Sequence, residues 1–228
     1  MLRHIVNFIF PPRCSGCGAL LPLSSKELIC GECTDEISSY ELPPVEYSDC
    51  VLISSALYRG AAKNLIKEMK FRNVRSCTRI AARVMTDSLI KHDESFIPEM
   101  IIPVPLHSSR KNERGYNQSS LIAAGVSTLL KIPFSASKLR RIRNTPSQRG
   151  LSPAERVKNV KGAFKARGKI PANILLIDDV ATTAPPSTNA PRHCSHPARD
   201  ASSPSPSPKP EFVGGTFAEG IPLGLVPI

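Results

Sequence analysis

Apolar residues recur at helical spacing in three stretches of the chain and crowd into short runs in three others. From Gly60 to Phe71, Ala62, Leu65, Ile66 and Met69 fall on one face and Lys63, Lys67 and Lys70 on the other, which predicts an amphipathic helix. Arg75 to Lys91 repeats the pattern with Ile80, Ala81, Val84, Met85 and Leu89. Asn117 to Leu130 does so with Leu121, Ile122, Val126, Leu129 and Leu130. Asp49 to Tyr58 is β-rich around Val51, Leu52 and Ile53, Met100-Ile101-Ile102 reads as a short strand, and Ile174 to Ile177 as a buried one. Residues 136–140 suggest a further strand, and residues 2–10 a short helix stopped by Pro11-Pro12. Ser152-Pro153-Ala154-Glu155 combines a capping box with proline at the first helical position, a sound helix start. Strands alternating with helices predict an α/β domain with a mostly parallel sheet over residues 46–183.

The pattern stops at Ala184. Residues 184–228 hold 10 of the 22 prolines, including Ser203-Pro204-Ser205-Pro206-Ser207-Pro208, and keep neither a helical nor a strand period. They read as a Pro/Ser-rich disordered tail. At the other end, Asn7 and Pro11-Pro12 cut the apolar residues too short for a signal-peptide core, and no stretch reaches membrane-spanning length. The expected location is the cytoplasm, with thiols kept reduced.

Charge sharpens the picture. The formal net charge is +11, and between His107 and Lys169 15 Lys and Arg stand against two acids, Glu113 and Glu155. A basic field this concentrated suits phosphate-rich ligands or nucleic acid. Its plainer alternative is a solvated face that aids solubility.

Residues 1–45 form a separate unit, an N-terminal helix and a cysteine module. Cys14-Ser15-Gly16-Cys17 and Cys30-Gly31-Glu32-Cys33 are two C-x-x-C pairs with 12 residues between them. Four thiolates brought to one point suit tetrahedral Zn²⁺ as a structural metal. A single pair would leave a redox dithiol open; two in one short polar segment favour zinc, which would supply most of the module's folding energy. Cys77 falls in a helix and reads as a small buried hydrophobe. His193-Cys194-Ser195-His196 has metal-ligand chemistry but lies in the tail.

Asp178 and Asp179 follow the buried run Ile174 to Ile177, with Thr182 and Thr183 starting a turn. Two adjacent carboxylates at a strand end repel, and so require cations or hydrogen-bond donors.

These pieces together resemble the ComF family, phosphoribosyltransferase-like proteins linked to natural competence and DNA uptake. The resemblance rests on the four-cysteine ribbon, then Pro103-Val104-Pro105-Leu106-His107, Arg110, Arg114-Gly115-Tyr116-Asn117-Gln118-Ser119, Arg143-Asn144-Thr145-Pro146-Ser147-Gln148, Arg156 and Asn159 with Gly162-Ala163-Phe164, and the aspartate strand. It covers residues 1–183. It implies a type I phosphoribosyltransferase-like parallel sheet, incomplete here, preceded by the zinc ribbon. It further implies that Pro103, Val104 and Pro105 face pyrophosphate, and that Arg110 and Arg114 bind that anion. Arg143 to Gln148 would close over phosphoribosyl pyrophosphate (PRPP). Asp178 and Asp179 would serve as ribose and Mg²⁺-linked carboxylates. Thr182 and Thr183 would begin the 5′-phosphate cradle.

The cradle then breaks off. Ala184-Pro185-Pro186 stands where the family has Gly-Ala-Thr, and proline has no N–H for a phosphate. A family-like Thr-Thr-Gly-Ala-Thr-Leu-Asn-Glu-Cys-Ala, written in GC-rich codons and missing one G from its glycine codon, translates as Thr-Thr-Ala-Pro-Pro-Ser-Thr-Asn-Ala. Residues 182–190 have that order. The tail therefore reads as out of frame, the flank of the Ile174–Ile177 strand as uncovered, PRPP binding as weakened or lost, and this copy as inactive. A second reading is a non-catalytic module whose ribbon and basic loops contact single-stranded DNA or the helicase machinery of DNA uptake.

Overall fold

A computed structural model of the chain describes residues 11–40, 42–46, 50–72, 74–92, 98–145, 152–182 and 212–219. Its helices are α1 (Gly31–Ser38), α2 (Gly60–Phe71), α3 (Cys77–His92), α4 (Ser108–Arg114), α5 (Gln118–Leu130) and α6 (Pro153–Val160). Its strands are β1 (Val45–Glu46), β2 (Cys50–Leu57), β3 (Met100–Pro103), β4 (Leu139–Arg141), β5 (Phe164–Ala166), β6 (Ile174–Thr182) and β7 (Phe212–Glu219).

Five strands form one sheet in the order β1-β2-β7-β6-β3. β1 is antiparallel to β2, and every other pairing is parallel. This is the expected α/β architecture. Alternation along the strands sets the two faces of the sheet. Ile101, Leu175 and Ile177 join a large core with Leu65, Ile66 and Met69 of α2, Met85 of α3 and Ile122 of α5. Ile102 and Ile174 point the other way and pack with Leu139 of the antiparallel β4–β5 ribbon. The cysteine module shares the large core: Cys14, Leu21, Ile29, Cys33 and Ile37 belong to the same apolar cluster.

The helices with strong apolar periodicity occur where the sequence places them. The capping box holds too, with the Ser152 hydroxyl and N–H donating to Glu155 Oε2 at 2.6 and 2.7 Å. Helix α4 was not foreseen, because Ser-Ser-Arg-Lys-Asn-Glu-Arg contains no apolar residue and buries none. It begins at His107, whose Nδ1 accepts from the Ser109 N–H, and ends at Gly115 in the left-handed region, φ 75°. Arg110 and Arg114 therefore sit on a helix, not in a loop.

Two expectations about the end of the domain need correction. Within the segment read as wholly disordered, residues 212–219 form β7, whose backbone pairs with β2 on one side and β6 on the other. The Ile174–Ile177 strand accordingly has neighbours on both flanks, β7 and β3. The physical reason is the demand of a parallel sheet for a partner to each backbone edge, met here by a short segment whose Gly214 and Gly215 hid its strand character. β6 also runs on through Thr182, past the point where a turn was expected. The helix read over residues 2–10, the cluster at His193 to His196, Gln148, Thr183 and most of the tail lie outside the described residues.

Helices α3 and α5 approach closely at one point. A Cβ added to Gly125 would stand 2.7 Å from the Ala82 Cβ. Gly125→Ala is expected to lower stability by about 1–3 kcal/mol through overpacking, despite the better helix propensity of alanine. Urea unfolding checks this, and an unchanged midpoint would show that the helices separate freely.

Candidate functional site: a four-thiol cluster and a carboxylate pair

The four cysteines converge. All four Sγ atoms lie within 4.8 Å of one another. Cys30 Sγ is 3.6 Å from Cys14 Sγ and 3.8 Å from Cys17 Sγ. Tetrahedral zinc with Zn–S bonds of about 2.3 Å requires S···S separations of about 3.8 Å, so the donor set fits a structural metal. The Gly16 and Cys30 N–H groups each donate to Cys14 Sγ at 3.3 Å. Burial alone would raise the Cys14 thiol, but backbone N–H groups at Cys17, Cys30 and Gly16 outweigh it and bring it down to about 6. Burial and the three neighbouring sulfurs push Cys33 up. A lowered Cys14 beside raised Cys30 and Cys33 is a conflict that a metal ion would resolve, because bound thiolates are deprotonated.

Helix α2 seats the cluster against the domain. Asn64 Nδ2 donates to the Gly16 carbonyl at 2.7 Å, and the Ala61 N–H donates to Glu36 Oε1 at 3.2 Å. A Cβ at Gly16 would meet Cys33 Sγ at 2.7 Å and the Ala61 Cβ at 3.0 Å. From α3, the buried Cys77 thiol donates to Ser15 Oγ at 3.3 Å. Cys77 is thus a core residue, as its helical position suggested.

The second constellation lies toward the carboxyl ends of the parallel strands β3 and β6, where ligands of such sheets bind. Pro103 closes β3, and the Val104 N–H donates to the Ile177 carbonyl at 2.8 Å. Asn117 Nδ2 donates to the Val104 carbonyl at 2.9 Å, which fixes the Pro103-Val104-Pro105 segment beside β6. The β6–β7 register slips between Ile177 and Val180, so Asp178 and Asp179 occupy an irregularity of the ladder. Such bulges re-aim side chains at functional sites.

Both carboxylates have protein partners. Asp178 Oδ1 accepts from Ser119 Oγ at 2.9 Å and from the Asp179 N–H at 2.8 Å. Asp179 Oδ2 is 3.0 Å from Lys70 Nζ, with side chains only 11% and 18% exposed. Burial, then the charge of Asp179, pushes the Asp178 carboxyl up to about 7, against the Asp179 N–H, Lys70 and Ser119. Arg141 donates to Thr145 Oγ1; burial and the charge of Arg110 hold its guanidinium below its ordinary value, against the charge of Asp178. An open cavity of about 390 Å³, lined by Ser109, Arg110, Asn144 and Thr145, adjoins this group. Arg114 bonds Gln118 Oε1 at 3.3 Å and stands 5.8 Å from the Phe71 ring centre. Arg143 points elsewhere, donating to the Asn159 carbonyl at 2.9 Å.

Of the residues singled out from the sequence, the four thiols are brought together, Asp178 and Asp179 lie on β6 beside the Pro103 segment, Arg110 lines the cavity with Thr145, to which Arg141 of the expected basic surface is bonded, and Arg143 turns away. Lys70 and the Ser119 hydroxyl had no role assigned: Ser119 is in a quoted motif, while Lys70 gave no signal beyond the polar face of its helix. The donor set fits Mg²⁺ poorly, since that ion demands an octahedral oxygen shell and an ammonium group already occupies Asp179.

Two outcomes follow from this geometry. Purified protein should contain one zinc per chain by metal analysis, and Cys14→Ser should lose it and unfold at lower temperature; unchanged metal content would refute the assignment. For Asp178, the raised value means that the folded state holds its proton more tightly than the unfolded state, whose value is near 3.8. Its contribution to stability therefore falls as pH rises from about 4 to about 7. Asp178→Asn should flatten that part of the stability profile and raise the Tm near neutral pH, as thermal melts across this range will record.

Among the described residues no helix is long and apolar enough to cross a membrane. No family model matches the chain. Curated relatives do. Competence protein F of Haemophilus influenzae is 33% identical over 180 residues, spanning 75% of this chain and 73% of its own length. DNA utilization protein YhgH is 29% identical over 174 residues in Salmonella typhimurium and 28% in Escherichia coli K12, in each case across 75% of this chain and 72% of the relative. At that identity and coverage, with the cysteine cluster and the α/β sheet both in place, the chain belongs to the ComF family, that of competence protein F.

Proposed function

We propose that this chain is a phosphoribosyltransferase-fold protein of DNA uptake that binds a diphosphate-bearing ligand and does not turn it over. The association with DNA uptake rests on the names of its relatives, competence protein F and DNA utilization protein. The observation that carries the ligand class is the open cavity lined by Ser109, Arg110, Asn144 and Thr145, with Arg141 bonded to Thr145 and its guanidinium responding to the charges of Arg110 and Asp178. Guanidinium groups bind phosphate oxygens in bidentate fashion, and the adjacent carboxylates suit ribose hydroxyls. In this reading Pro103, Val104, Pro105, Arg110 and Arg114 face the diphosphate, Asp178 and Asp179 face the sugar, Arg143 and Gln148 lie in the closing loop, and Thr182 and Thr183 begin the 5′-phosphate cradle.

Absence of turnover is argued from Ala184-Pro185-Pro186. Two prolines remove two N–H donors, and each phosphate hydrogen bond lost costs about 1.5–3 kcal/mol. Two or three such losses weaken binding of the 5′-phosphate by roughly 10² to 10⁶-fold. PRPP should therefore bind no tighter than inorganic pyrophosphate, and no phosphoribosyl transfer should occur. Restoring one G at codon 184 should return a Thr-Thr-Gly-Ala-Thr loop and the PRPP preference. Calorimetry of the two proteins decides it: equal PRPP affinity defeats both the loop argument and the frameshift reading.

A second reading is favoured by one observation. Phe71 is 75% exposed, beside Arg114 and the exposed Arg72. An exposed ring among arginines is the platform on which single-stranded nucleic acid stacks. Oligonucleotide binding with a steep salt dependence, weakened by Phe71→Ala, would favour this reading. Arg110→Gln with Arg114→Gln should weaken pyrophosphate binding most at low salt; unchanged affinity would reduce the cluster to a solubility feature.

A further inference from the structure

We infer that Lys70 takes the place of a divalent cation at the carboxylate pair, so that a diphosphate anion binds here without metal. The inference rests on the anion-site reading above and concerns how that site is charged.

Four observations carry it. Lys70 Nζ lies 3.0 Å from Asp179 Oδ2, and both side chains are largely withdrawn from water. A contact this buried is little screened by salt, unlike a surface pair. The remaining carboxylate is held by neutral donors, Ser119 Oγ and the Asp179 N–H, at 2.9 and 2.8 Å. Arg141 donates to Thr145, which lines the open cavity together with Arg110. The cationic side chains are thus Lys70 on the carboxylate pair and two guanidinium groups at the cavity. A divalent ion entering the pair would have to displace Lys70 from Asp179. A multivalent anion in the adjoining cavity meets the Arg110 guanidinium, with the charge of Asp179 already offset by Lys70.

The position of Lys70 is fixed rather than fortuitous. It precedes Phe71 at the end of α2, and Met69 beside it is fully buried, its carbonyl accepting the Tyr116 hydroxyl. The backbone that carries the ammonium group is therefore clamped from the α5 side, while Ser119 of α5 holds the second carboxylate. One clamp sets both partners of the pair.

The test uses the full, zinc-loaded chain in buffer freed of other divalent ions by resin, since a chelator would strip the thiol site. Calorimetry with inorganic pyrophosphate should give binding without Mg²⁺ and no tighter binding when millimolar Mg²⁺ is added. Lys70→Gln should weaken metal-free binding by about tenfold and regain affinity with Mg²⁺. Independently, water-proton relaxation should detect no Mn²⁺ site near the aspartates in the unaltered protein at submillimolar ion, and a new one in Lys70→Gln that disappears on adding Asp179→Asn. Pyrophosphate binding that requires Mg²⁺ in the unaltered chain, or Mn²⁺ binding there that Asp179→Asn abolishes, overturns the inference. If pyrophosphate fails to bind with or without metal, the anion-site reading falls, and the Mn²⁺ measurement still decides the role of Lys70. That measurement on the unaltered chain needs no variant that might misfold to be informative.

Discussion

Two neighbouring carboxylates on a buried strand must be neutralised, and the way α2 does so organises the rest of the domain. Lys70 reaches Asp179 only because Leu65, Ile66 and Met69, all fully buried, seat the helix on the sheet. The same helix receives the thiol module through Asn64 and Ala61. Its last full turn receives the hydroxyl of Tyr116. Thiol cluster, carboxylate pair and the start of α5 are all referred to one element. Removing that helix would leave each of the three without its reference.

The cysteine module is correspondingly less independent than its size implies. A segment of about 35 residues buries too little apolar surface to fold without help, which is why a metal is expected there. The structure adds a second source of support. Ile37, Leu21 and Ile29 enter the same apolar cluster as the sheet, and Gly16 is packed so tightly against Cys33 and Ala61 that a methyl group has no room. The thiol cluster and the domain core hold the same residues from two sides.

Much of this was legible in the chain. The helices 60–71, 77–92 and 118–130 and the strand from Ile174 announced themselves by period, because burial of one face demands it. The four thiols announced themselves by spacing. The rest was silent for physical reasons. α4 carries no buried side chain, so no period exists to read. β7 contains two adjacent glycines and is defined by backbone pairing on both edges, a property no single segment displays. Lys70 looked like one more solvated cation on a polar face; only the tertiary fold shows which of Lys63, Lys67 and Lys70 meets a buried acid. Ser119 sat inside a recognised motif without revealing that its hydroxyl is spent on Asp178.

The close contact at Gly125 bears on how the site can vary. α5 acts as a lever: its middle rests on Ala82 of α3 with no spare ångström, and its N-terminal end carries Asn117 and Ser119, which hold Val104 and Asp178. Any enlargement at the fulcrum rotates or lifts the tip that grips the carboxylate. A change confined to apolar side chains, remote from every charged group, is thereby converted into a change in hydrogen-bond length at the carboxylate pair. Sequence drift in this helix pair is constrained in matched steps, with a gain in volume on one helix requiring a loss on the other, or the chemistry at the strand ends drifts with it.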